Sequence, residues 1–209
     1  MIKKLFFITL FVGLISDSVS AQVESFQIGF KVGFSLADFK GEETDNLDPR
    51  TSVHVGLAAE IPINEILAIQ PELLYTFQGV KTESEEVNFE KESTKLDYIY
   101  LPVMVKYYPF YVVPGLSLEA GPQVGFLTSA VLERRNNLDG GITETSDTDI
   151  KDITSSIDVG FNLGVGYQLE IGAFIQARYN LGITDVFDIE GLEVSQQHSV
   201  FQFSTGFKF

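Results

Sequence analysis

Cysteine is absent from the chain, and histidine occurs only twice among its 209 residues. The absence of cysteine excludes disulfides, thiol catalysis and thiolate metal sites. Basic residues are also few, because 14 Lys and Arg side chains stand against 29 Asp and Glu side chains and leave a formal net charge of −15. A chain this acidic is a poor partner for nucleic acid, and we predict that it binds none.

Long apolar runs are lacking beyond the N-terminal segment. A membrane-spanning helix needs about twenty consecutive apolar residues. The best candidate, residues 98–116, is interrupted by Lys106 and by prolines at positions 102, 109 and 114. The sequence therefore disfavours a helical membrane protein.

The N-terminal segment has the features of a secretory signal peptide. Two lysines precede an apolar run over residues 5–15, and residues 19–21 (VSA) are the small residues that a signal peptidase accepts. The run is too short to span a bilayer, so an uncleaved anchor is the less favoured alternative. We predict a signal peptide over residues 1–21 and a single domain over residues 22–209.

Alternation of apolar and polar residues, typical of half-buried strands, runs through the rest of the chain. The clearest case is residues 200–209, where one face is aromatic and uncharged and the other is polar. The same alternation predicts eight strands, near residues 26–38, 51–61, 66–81, 95–108, 115–132, 153–170, 173–184 and 200–209.

The connections between these strands alternate between long and short, with long ones after the first, third, fifth and seventh strands. This order matches a barrel with short periplasmic turns, long extracellular loops and both termini in the periplasm. A lipid-facing wall also needs no second layer of protein over its apolar side. The sequence thus predicts an all-β fold, an eight-stranded antiparallel up-and-down transmembrane β-barrel.

The polar face of the strands nearly balances its charges. An eight-stranded barrel has room inside only for side chains, so we predict an ion-pair network that plugs the lumen. The acidic excess lies instead in the long connections, whereas a soluble lipocalin-like barrel, the alternative, would carry charges on its outer face. The predicted lumen network comprises Lys31, His54, Glu60, Glu72, Lys106, Glu119, Asp158, Glu170, Arg178 and Lys208.

Three local features lead to further expectations. Glu72 and Lys106 lie on neighbouring strands of the polar face, and we predict an ion pair between them. Pro71 and Pro102 cannot donate to a ladder, so we expect bulges or local defects there. Glycines of the sixth predicted strand should make room inside the barrel for Arg178 or for two tyrosines; these glycines are Gly160, Gly164 and Gly166, and the tyrosines are Tyr98 and Tyr100.

Five runs, in this order and spacing, resemble the porin-like outer-membrane β-barrel family that includes PorT: 70–75 (QPELLY), 100–108 (YLPVMVKYY), 121–127 (GPQVGFL), 158–160 (DVG) continuing to 164–167 (GVGY), and 178–182 (RYNLG). The resemblance implies a small barrel in the outer membrane of a Gram-negative cell. Most members have no defined activity, and PorT is associated with the secretion of surface proteins. The terminal residues Phe207 and Phe209 resemble the signal that the barrel insertion machinery reads.

Catalytic and metal-binding patterns are weak. His198 and Ser199 could act as base and nucleophile, but adjacent strand residues face opposite ways. Acidic clusters at 42–45, 83–86 and 147–149 could bind calcium, but none has the spacing of a known site, and solvated loop tips are the favoured interpretation. We predict no catalytic residue, no cofactor and no metal.

The predicted function is that of a monomeric outer-membrane barrel without catalytic activity, with a packed polar lumen and acidic extracellular loops that serve a structural or interaction role. Its expected partners are membrane lipid, lipopolysaccharide, the barrel insertion machinery and a protein at the loops. Two alternatives stay open. One is a PorT-like accessory factor for secretion of surface proteins, and the other is an outer-membrane enzyme.

Overall fold

The computed structural model describes residues 26–41, 48–83, 90–109, 113–138, 142–187 and 195–209. The predicted signal peptide and the acidic segments 42–45 and 84–86 lie outside the described residues. No helix within the described ranges has the length and apolar content needed to cross a membrane.

Nine strands and one short 3-10 turn make up the described chain. The strands are β1 (Gln27–Gly41), β2 (Asp48–Asn64), β3 (Leu67–Glu83), β4 (Glu90–Tyr107), β5 (Leu116–Leu138), β6 (Ile142–Asp149), β7 (Ile157–Gln168), β8 (Ala173–Asp185) and β9 (Gln196–Lys208). The 3-10 turn, Lys151–Ile153, lies between β6 and β7.

Eight of these strands close into an antiparallel barrel. The sheet order is β4-β3-β2-β1-β9-β8-β7-β5-β6, and a further pairing between β4 and β5 closes the ring. β5 therefore pairs with β7 within the barrel, while β6 pairs with the far end of β5. The predicted eight-stranded barrel is confirmed, and β6 is an additional strand.

The two faces of each strand are oriented as the alternation predicted. The phenylalanines of β9 point away from the barrel axis, and Phe203 is 40% exposed. Glu72 and Arg178 point inward and are 5% and 1% exposed. Successive strand side chains alternate between the two faces, so every second residue of a barrel strand faces outward. Because most of these outward residues are apolar, the outer wall of the barrel is apolar.

The segment between the fifth and sixth predicted strands differs from the expectation. Residues 133–152 were predicted to be a polar loop, but β5 continues to Leu138 and forms a hairpin with β6. Eight Cα pairs join them, from Val131 with Asp149 to Leu138 with Ile142. Residues 145–149 are exposed on both faces, so this hairpin lacks the apolar alternation by which a strand is recognised in a sequence.

The expectation of bulges or local defects at Pro71 and Pro102 is wrong for the bulges and confirmed for the local defects. Register shifts in the described strand pairs lie near Pro49 and Pro62 in β2, at Asp97 in β4 and over residues 181–185 in β8. The register is the same on both sides of each proline, but the pairing is interrupted beside it: residues 72–73 do not pair with 101–102, and residues 103–104 do not pair with 121–122. A proline removes one donor but keeps a φ that strands tolerate, so the pairs on either side hold the register there.

The ends of the barrel differ in the length of their connections. The short-turn end carries the connections 65–66, 108–115 and 169–172, together with the start of β1 and the end of β9. The connection 169–172 closes at Gly172, whose φ of +92° is open to glycine and strained for other residues. The long-loop end carries the other connections and the β5–β6 hairpin.

Candidate functional site: the barrel lumen

Among the described residues, four acids and four bases are buried in the lumen. All eight charged side chains are buried, together with His54. Buried charges are stable only when they are paired, and equal numbers allow each one a partner. The charged lumen residues are Glu60, Glu72, Glu119, Asp158, Lys31, Lys106, Arg178 and Lys208.

Glu170 is not one of the lumen residues, although the alternation placed it there. β7 ends at Gln168, and Glu170 lies exposed in the tight connection to β8. The alternation of faces stops where the chain turns, so parity no longer predicts orientation. Without Glu170, the formal charges of the buried lumen residues in the described chain cancel, because the predicted network contained five acids and four Lys or Arg residues.

Glu72 lies at the centre of the network and accepts hydrogen bonds from two cations. Lys31 Nζ lies 2.8 Å from its Oε2. Arg178 donates from Nη1 to Oε2 at 2.9 Å and from Nη2 to Oε1 at 2.8 Å, which is the two-pronged geometry that favours arginine over lysine at such a site. Gln70 donates to Oε1 at 2.6 Å.

The predicted ion pair between Glu72 and Lys106 is wrong. Lys106 lies opposite Ala68 on β3 and opposite Glu119 on β5, so it is not level with Glu72. Its Nζ lies 3.0 Å from Glu60 and 3.5 Å from Glu119. The alternation of side chains gives the face but not the height along the barrel axis, and height decides the partner.

Glu60 forms a second cluster, closer to the short-turn end. Its Oε2 accepts from Lys106 and from Lys208, and its Oε1 accepts from Tyr108. The ammonium groups of the two lysines also lie over aromatic rings, with Lys208 5.1 Å from the ring centre of Phe174. Arg178 joins the two clusters, because it donates to Glu119 at 3.2 Å as well as to Glu72.

The half of the lumen nearer the long loops contains an apolar cluster. Tyr100 marks the boundary, and its hydroxyl donates to Asp158 at 2.7 Å. Parity places several of these side chains inside, Leu74 and Leu96 among them. It does not place Ala130 there, since a register shift opposite Asp97 changes the parity of β5, or Val186, which follows the end of β8. The apolar plug comprises Phe39, Leu74, Val80, Leu96, Tyr98, Tyr100, Ala130 and Val186.

The two histidines have different surroundings. His54 is hydrogen-bonded to Ser35 at 2.9 Å and to Ser204 at 2.8 Å. His198 is 1% exposed, and neither ring nitrogen has a hydrogen-bond partner among the described residues. Its ring packs edge-on against two aromatic rings of the plug, with centroid distances of 5.3 Å to Phe39 and 5.4 Å to Tyr98.

The geometry separates His198 from Ser199. The Ser199 hydroxyl is hydrogen-bonded to Tyr179 at 2.7 Å, on the other side of the strand. No described group of three or more His, Cys, Asp or Glu side chains has the arrangement of a metal site.

A glycine other than those predicted makes room for Tyr100. A Cβ on Gly125 would lie 2.3 Å from a ring carbon of Tyr100, closer than any contact allows. Gly164 does lie beside Arg178, where a Cβ would meet the arginine side chain at 3.5 Å. Gly160 and Gly166 lie against other polar side chains, so the expected space for the tyrosines comes from β5 and not from β7.

A cavity of about 840 Å³ opens at the short-turn end. Glu60 and Tyr108 form part of its lining, and Gln168 and Glu170 lie toward its rim. The cavity thus reaches the Glu60 cluster, and beyond that point side chains fill the lumen.

The comparisons with known proteins agree with this architecture. The sequence profile of the family described as "Outer membrane protein beta-barrel domain" matches residues 20–188. The chain belongs to this family. No curated protein matches it.

Several solved structures are similar in fold to this family member. The attachment invasion locus protein Ail of Yersinia pestis is 12% identical, with 89% of this chain and 100% of that chain covered and a TM-score of 0.49. OprG of Pseudomonas aeruginosa is 14% identical, with coverages of 90% and 97% and a TM-score of 0.45. Neisserial surface protein A is 13% identical, with coverages of 90% and 98% and a TM-score of 0.44.

For an outer-membrane barrel, the two faces of the wall have distinct physical tasks. The outer face must contact acyl chains, and its exposed Phe, Leu, Ile and Val side chains are suited to that contact. The inner face must satisfy every buried charge without bulk water, and the pairs around Glu72 and Glu60 do so. The geometry of the lumen therefore supports stability and closure more directly than it supports chemistry.

Proposed function

We propose that this outer-membrane barrel is neither an enzyme nor a diffusion pore, and that it acts through the polypeptide at its long-loop end. The observation that carries the proposal is the filled lumen. A neutral network around Glu72 occupies one half, and the apolar plug around Tyr100 occupies the other. A solute would have to displace both, and each paired charge that was separated would be left buried without a partner.

The acidic long-loop end is the surface proposed for interaction. The lumen charges cancel, so the net charge of −15 comes from residues outside the lumen. We place this end outside the cell and the short-turn end in the periplasm, since barrels of this class keep their short turns there. Exposed carboxylates at that position would contact a protein partner, or the divalent cations that bridge lipopolysaccharide molecules.

Two experiments test the proposal. Purified protein in planar bilayers should give no conductance comparable to that of a general porin measured in parallel, and appreciable steady conductance would contradict the filled lumen. Orientation can be tested in the cysteine-free chain by single substitutions at exposed positions. Thr145→Cys should react with an impermeant maleimide on intact cells, and Glu65→Cys should react only after lysis.

The absence of catalysis has its own test. His54 and His198 are the only histidines in the chain, and neither has an acid among its described hydrogen-bond partners. Replacement of both by glutamine should leave any phenotype of the protein unchanged. A lost hydrolytic or transferase activity in the purified double variant would support the enzyme alternative.

A role as an accessory factor in secretion is the second candidate, and the five runs that resemble the PorT-containing family favour it. A deletion strain should then lose export of surface proteins while its outer membrane stays intact to detergents and dyes. Normal export together with a weakened membrane would favour the structural role.

A further inference from the structure

The outer hairpin, formed by residues 131–138 of β5 and by β6, leaves one strand edge without a partner in the described chain. Within the barrel each strand has neighbours on both sides, but β6 pairs only with β5 among the described strands. The edge runs over the eight residues from Ile142 to Asp149 in unbroken register. Its outward backbone N–H and C=O groups form a row that a further strand can use.

This edge carries charge of one sign but lacks the other features by which strand edges are commonly blocked. Natural sheets protect an edge with charged side chains, lysine above all, or with proline, a bulge or very short length. β6, with the sequence ITETSDTD, has no proline and no lysine, and its pairing with β5 has no register shift. Residues 145–149 are exposed on both faces of the strand, so no described residue covers the strand above or below its edge.

The charges of the hairpin specify what kind of strand would fit. β6 carries Glu144, Asp147 and Asp149 and no base. Asp147 and Asp149 project from the same face, because they are two residues apart. Glu133, opposite Asp147, already pairs with Arg135 at 2.8 Å and with Lys95, and the hydrogen bond from Lys95 holds the pKa of Glu133 below its usual value.

Glu133 thus has two cations as partners, Lys95 and Arg135. The two aspartates of β6, by contrast, have no cation among their described partners. Asp149 accepts only the backbone N–H of Lys151, at 2.9 Å. A strand added at the free edge would place alternate side chains directly opposite Asp147 and Asp149. Lysine or arginine at those alternate positions would form the cross-strand pairs that are missing.

We infer that the β6 edge is a docking site for an extended, basic polypeptide segment of another protein, which adds to the sheet as a further strand. Main-chain hydrogen bonds supply the attachment, and the spacing of the two aspartates selects cations at alternate positions. A second copy of this chain fits poorly, because pairing β6 with β6 would bring acidic strands together, and like charges in direct opposition destabilise a strand pair. The inference uses the proposed orientation only to place this partner outside the cell.

The test uses the full barrel in detergent micelles and an octapeptide that alternates threonine and lysine. Fluorescence anisotropy should show saturable binding that weakens with salt, and an octapeptide that alternates threonine and glutamate should not bind. Two further analogues carry N-methyl groups on alternate amides, one set on the threonines and the other on the lysines. Alternate N–H groups of a strand point to the same side, so one of the two sets would face the β6 edge. If the peptide adds as a strand, at least one of the two analogues must therefore lose binding. If both bind as the parent does, the contact is ionic only and the inference is wrong.

Charge reversal locates the site. Asp147→Lys with Asp149→Lys should weaken binding by about tenfold or more, as expected when two opposite-charge cross-strand pairs become like-charge pairs. Asp152→Lys with Asp185→Lys makes the same change in net charge at exposed positions off the edge, and it should leave binding within about twofold. Equal losses in the two variants would show that general acidity, and not the edge, attracts the peptide.

Unheated gel migration shows whether each variant still forms a barrel. Should the reversed variant fail to fold, Asp147→Asn with Asp149→Asn removes the charges at nearly constant volume and should also weaken binding. Concentration-dependent dimerisation of the barrel that the peptide reverses would assign the edge to a second copy and overturn the inference. Binding in micelles depends neither on the side of the membrane nor on conductance, so its failure is distinct from failure of the proposed function.

Discussion

Replacement of Glu72 by glutamine should destabilise the barrel strongly, because it removes the shared partner of two buried cations. Gln keeps the volume of the side chain but not its charge. Lys31 and Arg178 would lose a carboxylate that accepts from them at 2.8 and 2.9 Å, and the lumen would then hold four bases and three acids. Breaking one partner of a buried pair typically costs about 3–5 kcal/mol, and we expect a loss of that size in the free energy of unfolding.

A second substitution distinguishes the cost of an uncompensated charge from the cost of altered packing in the free energy of unfolding. Glu72→Gln combined with Arg178→Met removes one acid and one base and leaves the lumen neutral. If uncompensated charge is the main cost, the double variant should lose less stability than the sum of the single variants by at least about 1 kcal/mol. Some loss should remain in the double variant, since Arg178 also donates to Glu119 at 3.2 Å.

Urea titration of the barrel in lipid vesicles provides the assay. The folded fraction can be read from migration on unheated gels, and equal slopes with denaturant would show that the variants unfold from comparably compact states. A loss below about 1 kcal/mol for Glu72→Gln, or strict additivity in the double variant, would contradict the argument. Either result would mean that water screens these charges, and the lumen could not then be closed as proposed.

Three more predictions concern the histidines, Gly125 and Phe209. His198→Phe should raise the free energy of unfolding by about 1–3 kcal/mol, since it removes a buried ring without hydrogen bonds, whereas His54→Phe should lower it; urea midpoints compare the two. Gly125→Ala should lower the midpoint through its clash with Tyr100, and Tyr100→Leu in the same chain should restore much of the loss; no rescue would refute the clash. Phe209→Ala should slow insertion by the assembly machinery in vitro while leaving the urea midpoint of the folded barrel nearly unchanged, because its side chain is 73% exposed.

The fold could be predicted from the sequence because a lipid-exposed barrel imposes one simple rule on every strand. Parity placed Phe203 outside and Glu72 inside, and the structure agrees. Parity does not determine which residues of neighbouring strands lie opposite each other, however. For this reason the predicted ion pair between Glu72 and Lys106 was wrong. Height along the axis depends on the tilt and stagger of all eight strands together, which no single stretch of sequence records.

The outer hairpin was missed for a different physical reason. The rule of alternation holds only where one face of a strand is apolar, and β6 is exposed to water on both faces over residues 145–149. A threonine-rich strand of that kind resembles a loop in composition. Its pairing partner is the part of β5 beyond residue 133, which the sequence does not identify as a strand either. The apolar plug is the opposite case, since parity alone would have placed Leu74 and Leu96 inside.

The charged residues of the molecule fall into two groups, inside and outside the lumen, and the fold constrains the two groups differently. Inside the lumen each charge is fixed by its partner, because a change at Glu72 or Arg178 leaves an opposite charge buried, and these residues contribute nothing to the net charge. Outside the lumen the acidic residues of β6 have no such constraint from the fold. On an open edge, three acids and no base disfavour pairing with another acidic strand and leave a basic strand as the partner that fits. The function of this barrel is therefore best sought at Asp147 and Asp149, where the charges are available to a partner, and not among the charges that the lumen needs for closure.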